Sequence, residues 1–413
     1  MGFYYENGEL VADGVKVEDI VRSVGTPVYI YSKEHFIEQF KKFDGAFKKE
    51  HLVCFAVKAN SNLAVINTFA RLGAGADIVS KGELFRALKA GISPGKIVFS
   101  GVAKTEDEIE YAISNNILMF NVESKDELYA IERVARRLGK RAPISFRINP
   151  DVDPKTHPYI STGLKKNKFG VPYEEALELY LEARKLENIE ILGVQFHIGS
   201  QLLDTTPIYD ASLRIAELVG KLEREGIKIS VVDVGGGVGI VYNEKEDREP
   251  SLDKYAEQVE SAFEGFDVKL ILEPGRFLAG NGGILVSRVV YHKTNLNKRF
   301  LIVDAGMNDL LRPSLYNAYH KIEPVVKRGR DKVVCDIVGP ICETGDFFAR
   351  NYEIEDVENG EYIAVFSAGA YGFTMASNYN SRPKPAEVLV ENGSFRVVRQ
   401  RETLDDLIRG EAL

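Results

Sequence analysis

LVCFAVKANSNLAVINTFARLGAGADIVSKGELFRALKAGISPGKIVFS, residues 52–100, passes through the same cycle more than once. Short β-branched runs at 52–57, 76–79 and 97–100 alternate with longer amphipathic segments at 62–72 and 81–90. That order reads as strand, helix, strand, helix. Outward from this stretch the cycle continues. Further runs lie at 117–122, 144–148, 192–197, 231–234 and 270–273, and further helical segments at 106–115, 125–138, 173–186, 207–225 and 252–263. A helix at 35–48 precedes the first run. Capping residues such as Ser61, Ser124 and Asp204 open several helices, and Gly73 and Gly139 close two. Eight strands and eight helices in roughly 245 residues predict an α/β fold, a closed (β/α)8 TIM-like barrel. An open doubly wound sheet has the same alternation, and strand count and span favour the barrel.

Beyond about residue 280 the texture changes. Runs at 284–291, 299–304, 332–338, 362–367, 386–391 and 394–398 are separated by turns such as Glu391-Asn392-Gly393, which predicts a second, mostly antiparallel β domain of sandwich or barrel type. The segment 3–17 carries similar turn signals, Glu6-Asn7-Gly8 and Ala12-Asp13-Gly14, and is expected to add strands to that domain. The expected division is therefore a barrel over 30–279 and a discontinuous β domain over 1–29 and 280–413.

Composition narrows the function. The chain has 413 residues, 45% hydrophobic and 28% charged, with a formal net charge of -8 spread in mixed-sign pairs. No basic patch invites nucleic acid, and no stretch approaches a membrane span. Three cysteines, Cys54, Cys335 and Cys342, give neither a zinc pattern nor a disulfide framework. The start carries Glu6 and Glu9 where an export signal would carry basic residues. A cytoplasmic protein is expected, with no metal, no nucleic acid and no membrane partner.

In a barrel of this kind the chemistry sits at the C-terminal ends of the strands, and the unusual residues fall there. Lys58 ends the first strand in Phe55-Ala-Val-Lys-Ala-Asn60, and Asp77 and Ser80 lie at the second. His197 closes the sixth in Phe196-His-Ile-Gly-Ser-Gln201; the seventh runs into Gly235-Gly-Gly-Val-Gly239 and the eighth into Glu273-Pro-Gly-Arg276. Taken singly, each has a bland reading: a snorkelling lysine, a core histidine, a generic turn, a solvated ion pair. Together they place an amine nucleophile, a flat imidazole, backbone phosphate donors and a carboxylate at one mouth. Those are the contacts that pyridoxal phosphate needs. Lys58 would carry the cofactor, His197 would stack on its ring, Ser200 with Gly235, Gly236, Gly237 and Gly275 would hold its phosphate, and Glu273 would face its ring nitrogen.

These motifs, with Asp77-Ile-Val-Ser80, Gly339-Pro-Ile-Cys-Glu-Thr-Gly-Asp346 and Ala368-Gly-Ala-Tyr371-Gly in order along the chain, resemble the fold-type III pyridoxal-phosphate decarboxylases, and within them the diaminopimelate decarboxylases. The resemblance implies decarboxylation of meso-2,6-diaminopimelate to L-lysine. It also implies a head-to-tail homodimer in which the Cys-Glu segment enters the partner's active site. Carried over by motif, Cys342 would donate a proton to the reacting carbon and Glu343 would bind the distal amino group. Arg276, Arg312 and Tyr316 would recognise the distal carboxylate, Asp77 and Arg276 would serve the cofactor, and Tyr371 would touch cofactor and substrate. Thr344 stands where the family usually has serine, with no expected effect on the chemistry.

A second carboxylate on the substrate suits arginine, whose fork matches it bidentately. From pattern alone, Arg312 in Leu311-Arg-Pro-Ser314 reads equally as a surface residue at a turn, and Cys342 as a small buried hydrophobe. The loop 151–171, with His157, Gly163 and four lysines, reads either as a lid that excludes water or as a surface excursion. Competing functions are a sibling decarboxylase of ornithine, lysine or arginine, an amino-acid racemase, and a non-catalytic homologue that regulates a partner.

Overall fold

Eight parallel strands hydrogen-bond side by side in chain order: His51–Ala56, Gly75–Ile78, Ile97–Phe99, Met119–Val122, Ala142–Asn149, Ile189–Gln195, Val231–Asp233 and Lys269–Leu272. The eighth returns to pair with the first, Leu270 opposite His51 and Leu272 opposite Val53, which closes the barrel. This is the computed structural model of the chain, and it describes residues 2–152 and 168–413. A two-residue strand, Val171–Pro172, adds to the fifth barrel strand beside Ile148 and Asn149. It was not foreseen, because two residues are too few to show a period.

The helices between the strands form for local reasons. Lys125–Arg137 is capped by Ser124, whose side chain accepts the Glu127 N–H, and buries Leu128, Ile131, Val134 and Ala135 on one face. Thr105 and Glu108 make a reciprocal capping box on Glu106–Ser114. Two expected caps are corrected. Asn62 rather than Ser61 caps Leu63–Arg71, accepting from Ala64 N–H. Thr206–Arg224 starts after Thr205, with Asp204 accepting from the Thr206 N–H at 3.0 Å. Inside the barrel, Leu52, Cys54, Val98, Met119, Val231 and Ile271 pack into one apolar cluster.

The chain divides into two compact units, Phe40–Ile240 with Arg248–Phe277, and Met1–Gln39 with Val241–Asp247 and Leu278–Leu413. In the second unit the main sheet runs Phe347–Glu355, Lys332–Val338, Lys298–Val303, Gly283–Asn295, Val28–Ser32, Ala386–Glu391, Ser394–Arg399. Its pairings are antiparallel except Lys298–Val303 with Lys332–Val338 and Val28–Ser32 with Ala386–Glu391. The N-terminal strands Phe3–Glu6, Glu9–Ala12 and Val15–Lys16 form a sheet of their own rather than extending the main one. They are fastened by Leu10 N–H to Val325 O at 2.8 Å and by burial of Leu10 and Ala12 among Val28, Ile30, Ile284 and Val388. The N-terminal strand that does enter the main sheet is Val28–Ser32, which straddles the expected boundary at 29/30.

Candidate active site

The first barrel strand ends in a single 3-10 turn, Val57–Ala59, and this turn carries Lys58. Lys58 Nζ lies 2.7 Å from Asp77 Oδ2 on the neighbouring strand; the lysine side chain is 38% exposed and the aspartate 0%. A buried carboxylate thus holds an amine that remains open to the mouth. The other Asp77 oxygen, Oδ1, is buried without a hydrogen-bond partner among the described residues. Such an atom is costly unless something completes it.

His197 follows the sixth strand and is partly buried against the glycine loop. The Gly236 N–H donates to its Nδ1 at 3.3 Å, which places the ring proton on Nε2. Burial first, and then the positive charges of Arg147 and Lys58, hold its pKa well below the ordinary histidine value. The imidazole is therefore a neutral flat ring at physiological pH. The glycines are required by close approach. A Cβ on Gly235, which has φ +71°, would stand 2.5 Å from Phe196 O, and one on Gly236 would stand 2.3 Å from Glu273 O. Gly235 donates to Asp233 Oδ1 at 2.9 Å, so the N–H groups of Gly235 and Gly236 both have partners within the protein. Across the mouth, Arg276 Nη2 donates to Ser200 Oγ at 3.1 Å.

Beneath these residues lies a polar network that the sequence reading missed. The two hydrogens of Asn121 Nδ2 are shared among Ser100 Oγ at 3.0 Å, Asp233 Oδ2 at 3.1 Å and Glu273 Oε1 at 3.4 Å, and Asn121 Oδ1 accepts from Ser145 Oγ at 2.6 Å. Glu273 and Asp233 are also hydrogen-bonded to each other. Burial is the main cause that raises both carboxyls, Asp233 to about 7 and Glu273 well above its usual range, and Asp77 adds repulsion. The pair holds a proton at neutral pH. Arg147 pairs with Glu123 at 3.0 Å, and Glu123 also accepts the Gly101 and Gly170 N–H groups at 3.0 and 2.9 Å. The end of the loop read as a lid, Phe169, lies under the Arg147 guanidinium at 4.6 Å. His157, Gly163 and most of that loop, 153–167, lie outside the described residues.

These groups fit pyridoxal phosphate. An amine, a neutral ring, a proton-bearing carboxyl and a glycine loop face one mouth, and the open Asp77 oxygen marks a polar site that something else completes. Residues 33–280 match the family described as "Pyridoxal-dependent decarboxylase, pyridoxal binding domain". The diaminopimelate decarboxylase of Aquifex aeolicus is 52% identical over 404 residues, 98% of this chain and 96% of that protein. The chain belongs to the diaminopimelate decarboxylases. The structure of the Helicobacter pylori diaminopimelate decarboxylase complexed with L-lysine superposes with a TM-score of 0.92 at 49% identity, covering 95% of this chain and 98% of that one. The M. jannaschii diaminopimelate decarboxylase in co-complex with L-lysine gives 0.93 at 40% identity, covering 100% and 98%.

The remaining site residues expected of a diaminopimelate decarboxylase lie in the β unit. Arg312 and Tyr316 open and close one short helix, Arg312–Tyr316, and Arg312 is buried rather than set at a surface turn. Ser314 in that helix donates to Gly345 O at 2.6 Å, which ties it to the loop carrying Cys342 and Glu343. Asp346 pins the loop by accepting from Ile341 N–H and Met307 N–H, both at 2.7 Å. Cys342 is exposed, unlike Cys54 and Cys335, and its N–H donates to Asn380 Oδ1 at 2.8 Å. Glu343 is also exposed and accepts from Tyr379 OH at 2.8 Å. Tyr371 sits at φ 55°, a left-handed conformation uncommon for a bulky residue.

Proposed function

We infer that Lys58 carries the cofactor, that His197 lies against its ring, and that Ser200, Gly237, Gly275 and Arg276 receive its phosphate, with Gly235 and Gly236, whose N–H groups go to Asp233 and His197, leaving it room. The enzyme is a pyridoxal-phosphate-dependent carboxy-lyase of lysine biosynthesis, and its reaction converts meso-2,6-diaminopimelate to L-lysine and carbon dioxide. When bound, pyridoxal phosphate supplies the electron sink for the pair left by the departing carboxylate. Asp77 holds the Lys58 ammonium at the mouth, where it would keep the side chain in reach of the cofactor. Glu273, which holds a proton with Asp233, would direct it to the ring nitrogen and so strengthen that sink. A neutral His197 packs on the ring without adding charge. The observation that carries this reading is the double pairing at one barrel mouth, Lys58 with Asp77 and Glu273 with Asp233.

The β unit supplies substrate recognition in this reading. Arg312 and Tyr316, with Arg276, bind the distal carboxylate, Glu343 binds the distal ammonium, Tyr371 touches cofactor and substrate, and Cys342 returns a proton to the carbon that lost carbon dioxide. The chain works as a cytoplasmic homodimer in which the exposed Cys342 and Glu343 of one protomer serve the barrel of the other. Among the described residues, no helix is long and apolar enough to cross a membrane.

The test is to incubate the holoenzyme with meso-diaminopimelate, ornithine, arginine and lysine and to identify the amine formed. Lysine from diaminopimelate alone is expected, and a polyamine would move the chain to a sibling activity. In the same assay, Arg312→Ala is expected to raise KM for diaminopimelate by about tenfold or more, roughly 1.4 kcal/mol per factor of ten. An unchanged KM would remove Arg312 from the substrate site.

A further inference from the structure

Two contacts of Arg312 come from residues to which its motif gives no clue. His320 Nδ1 lies 2.7 Å from Phe366 O. A carbonyl only accepts, so the ring hydrogen sits on Nδ1 and Nε2 carries a lone pair. That lone pair meets Arg312 Nη1 at 2.9 Å. On the flat side of the guanidinium, Arg312 Cζ stands 4.7 Å from the centre of the Tyr242 ring. Tyr242 in turn packs edge-on against His320, ring centres 5.5 Å apart at 78°. Tyr242 belongs to Val241–Asp247, the one segment between barrel strands seven and eight that joins the β unit. Asp247 Oδ2 accepts from Tyr242 N–H and Asn243 N–H at 2.8 and 2.9 Å, and Glu244 pairs with Lys321 at 3.2 Å. The Asp247 bonds turn the segment back on itself, and the exposed Glu244–Lys321 pair links it to the residue after His320.

The chemistry of these two partners is specific. A carboxylate in place of His320 would fix the guanidinium as well, but it would cancel the charge that an incoming carboxylate needs. A neutral imidazole acceptor and an aromatic face fix the plane of the fork and bring no negative charge of their own. We propose that His320 and Tyr242 are positioning residues for Arg312, and that recognition of the distal carboxylate depends on them. This rests on the reading that Arg312 receives that carboxylate.

The experiment is a double-mutant cycle on the holoenzyme with diaminopimelate as substrate. His320→Ala is expected to raise KM about tenfold while changing kcat by no more than about twofold. His320→Gln, which keeps an acceptor near the position of Nε2, returns most of that loss. Because His320 acts through Arg312, the double variant His320→Ala, Arg312→Ala is no worse than Arg312→Ala alone. Tyr242→Leu, which leaves the His320 bonds in place, shows the same non-additivity and decides the matter if His320→Ala does not fold. Additive losses, or a normal KM in both single variants beside a defective Arg312→Ala, would overturn the positioning role. A normal KM in Arg312→Ala itself would overturn the substrate reading beneath it, so the two failures are told apart.

Discussion

Lys58→Ala is expected to lose the near-visible absorbance band that the reconstituted wild-type protein shows and to lower kcat by about 10^3-fold or more, because the alanine leaves no amine to carry the aldehyde. The fold is expected to survive. Lys58 lies on the single 3-10 turn Val57–Ala59 at the strand end and its side chain is partly exposed, so no core packing is removed. Its loss does leave Asp77 buried with neither oxygen bonded to lysine, at a cost in stability of about 1–3 kcal/mol. A variant that retains the band and the rate would mean that another amine does this work.

Cys342→Ala is the second large effect. Removing a proton donor from the reacting carbon is expected to lower kcat by about 10^2- to 10^4-fold with the cofactor band intact. The pair of variants also tests the shared site. If Cys342 of one protomer serves the other's barrel, mixing inactive Lys58→Ala with inactive Cys342→Ala protein and allowing exchange restores activity. At full exchange half of the dimers are mixed and each carries one intact site, so about a quarter of the wild-type rate returns. Mixed dimers that form and stay inactive would place both residues in one protomer's own site.

The barrel was legible because each of its strands is a short apolar run bounded by turn residues, and all eight lie where those runs lie. The strands that escaped are instructive. Phe347–Glu355 is the edge of the main sheet; its alternation is plain only over Asn351 to Glu355 and is broken by Arg350-Asn351, where the pairing with Lys332–Val338 shifts register. Val28–Ser32 is buried throughout, so it shows no alternation either, and it sits beside Pro27 at what reads as a linker. Its partners, Gly283–Asn295 and Ala386–Glu391, lie more than 240 residues away, and nothing local announces them.

The site divides in the same way. Lys58, Asp77, His197, Gly235 and Glu273 were visible as residues out of place at strand ends. Asn121, Ser145 and Asp233 were not singled out, although a signal existed. Parallel strands are covered on both faces and read as continuous apolar runs, so a polar residue inside Met119–Val122 or Val231–Asp233 is itself unusual. Asp233 is the most informative of these, because its two oxygens bind the glycine loop and the Asn121 amide that also reaches Glu273. Tyr242 and His320 had no signal at all, since only the folded chain brings them to Arg312.

Reductive trapping addresses the point on which everything else depends. The holoenzyme is treated with borohydride, which fixes the cofactor irreversibly to the amine that carries it, then digested, and the labelled peptide is sequenced by mass spectrometry. The label is expected on Lys58 alone, within Phe55-Ala-Val-Lys-Ala-Asn60. A label on any other lysine, or an unlabelled protein that still releases carbon dioxide from diaminopimelate, would contradict the account.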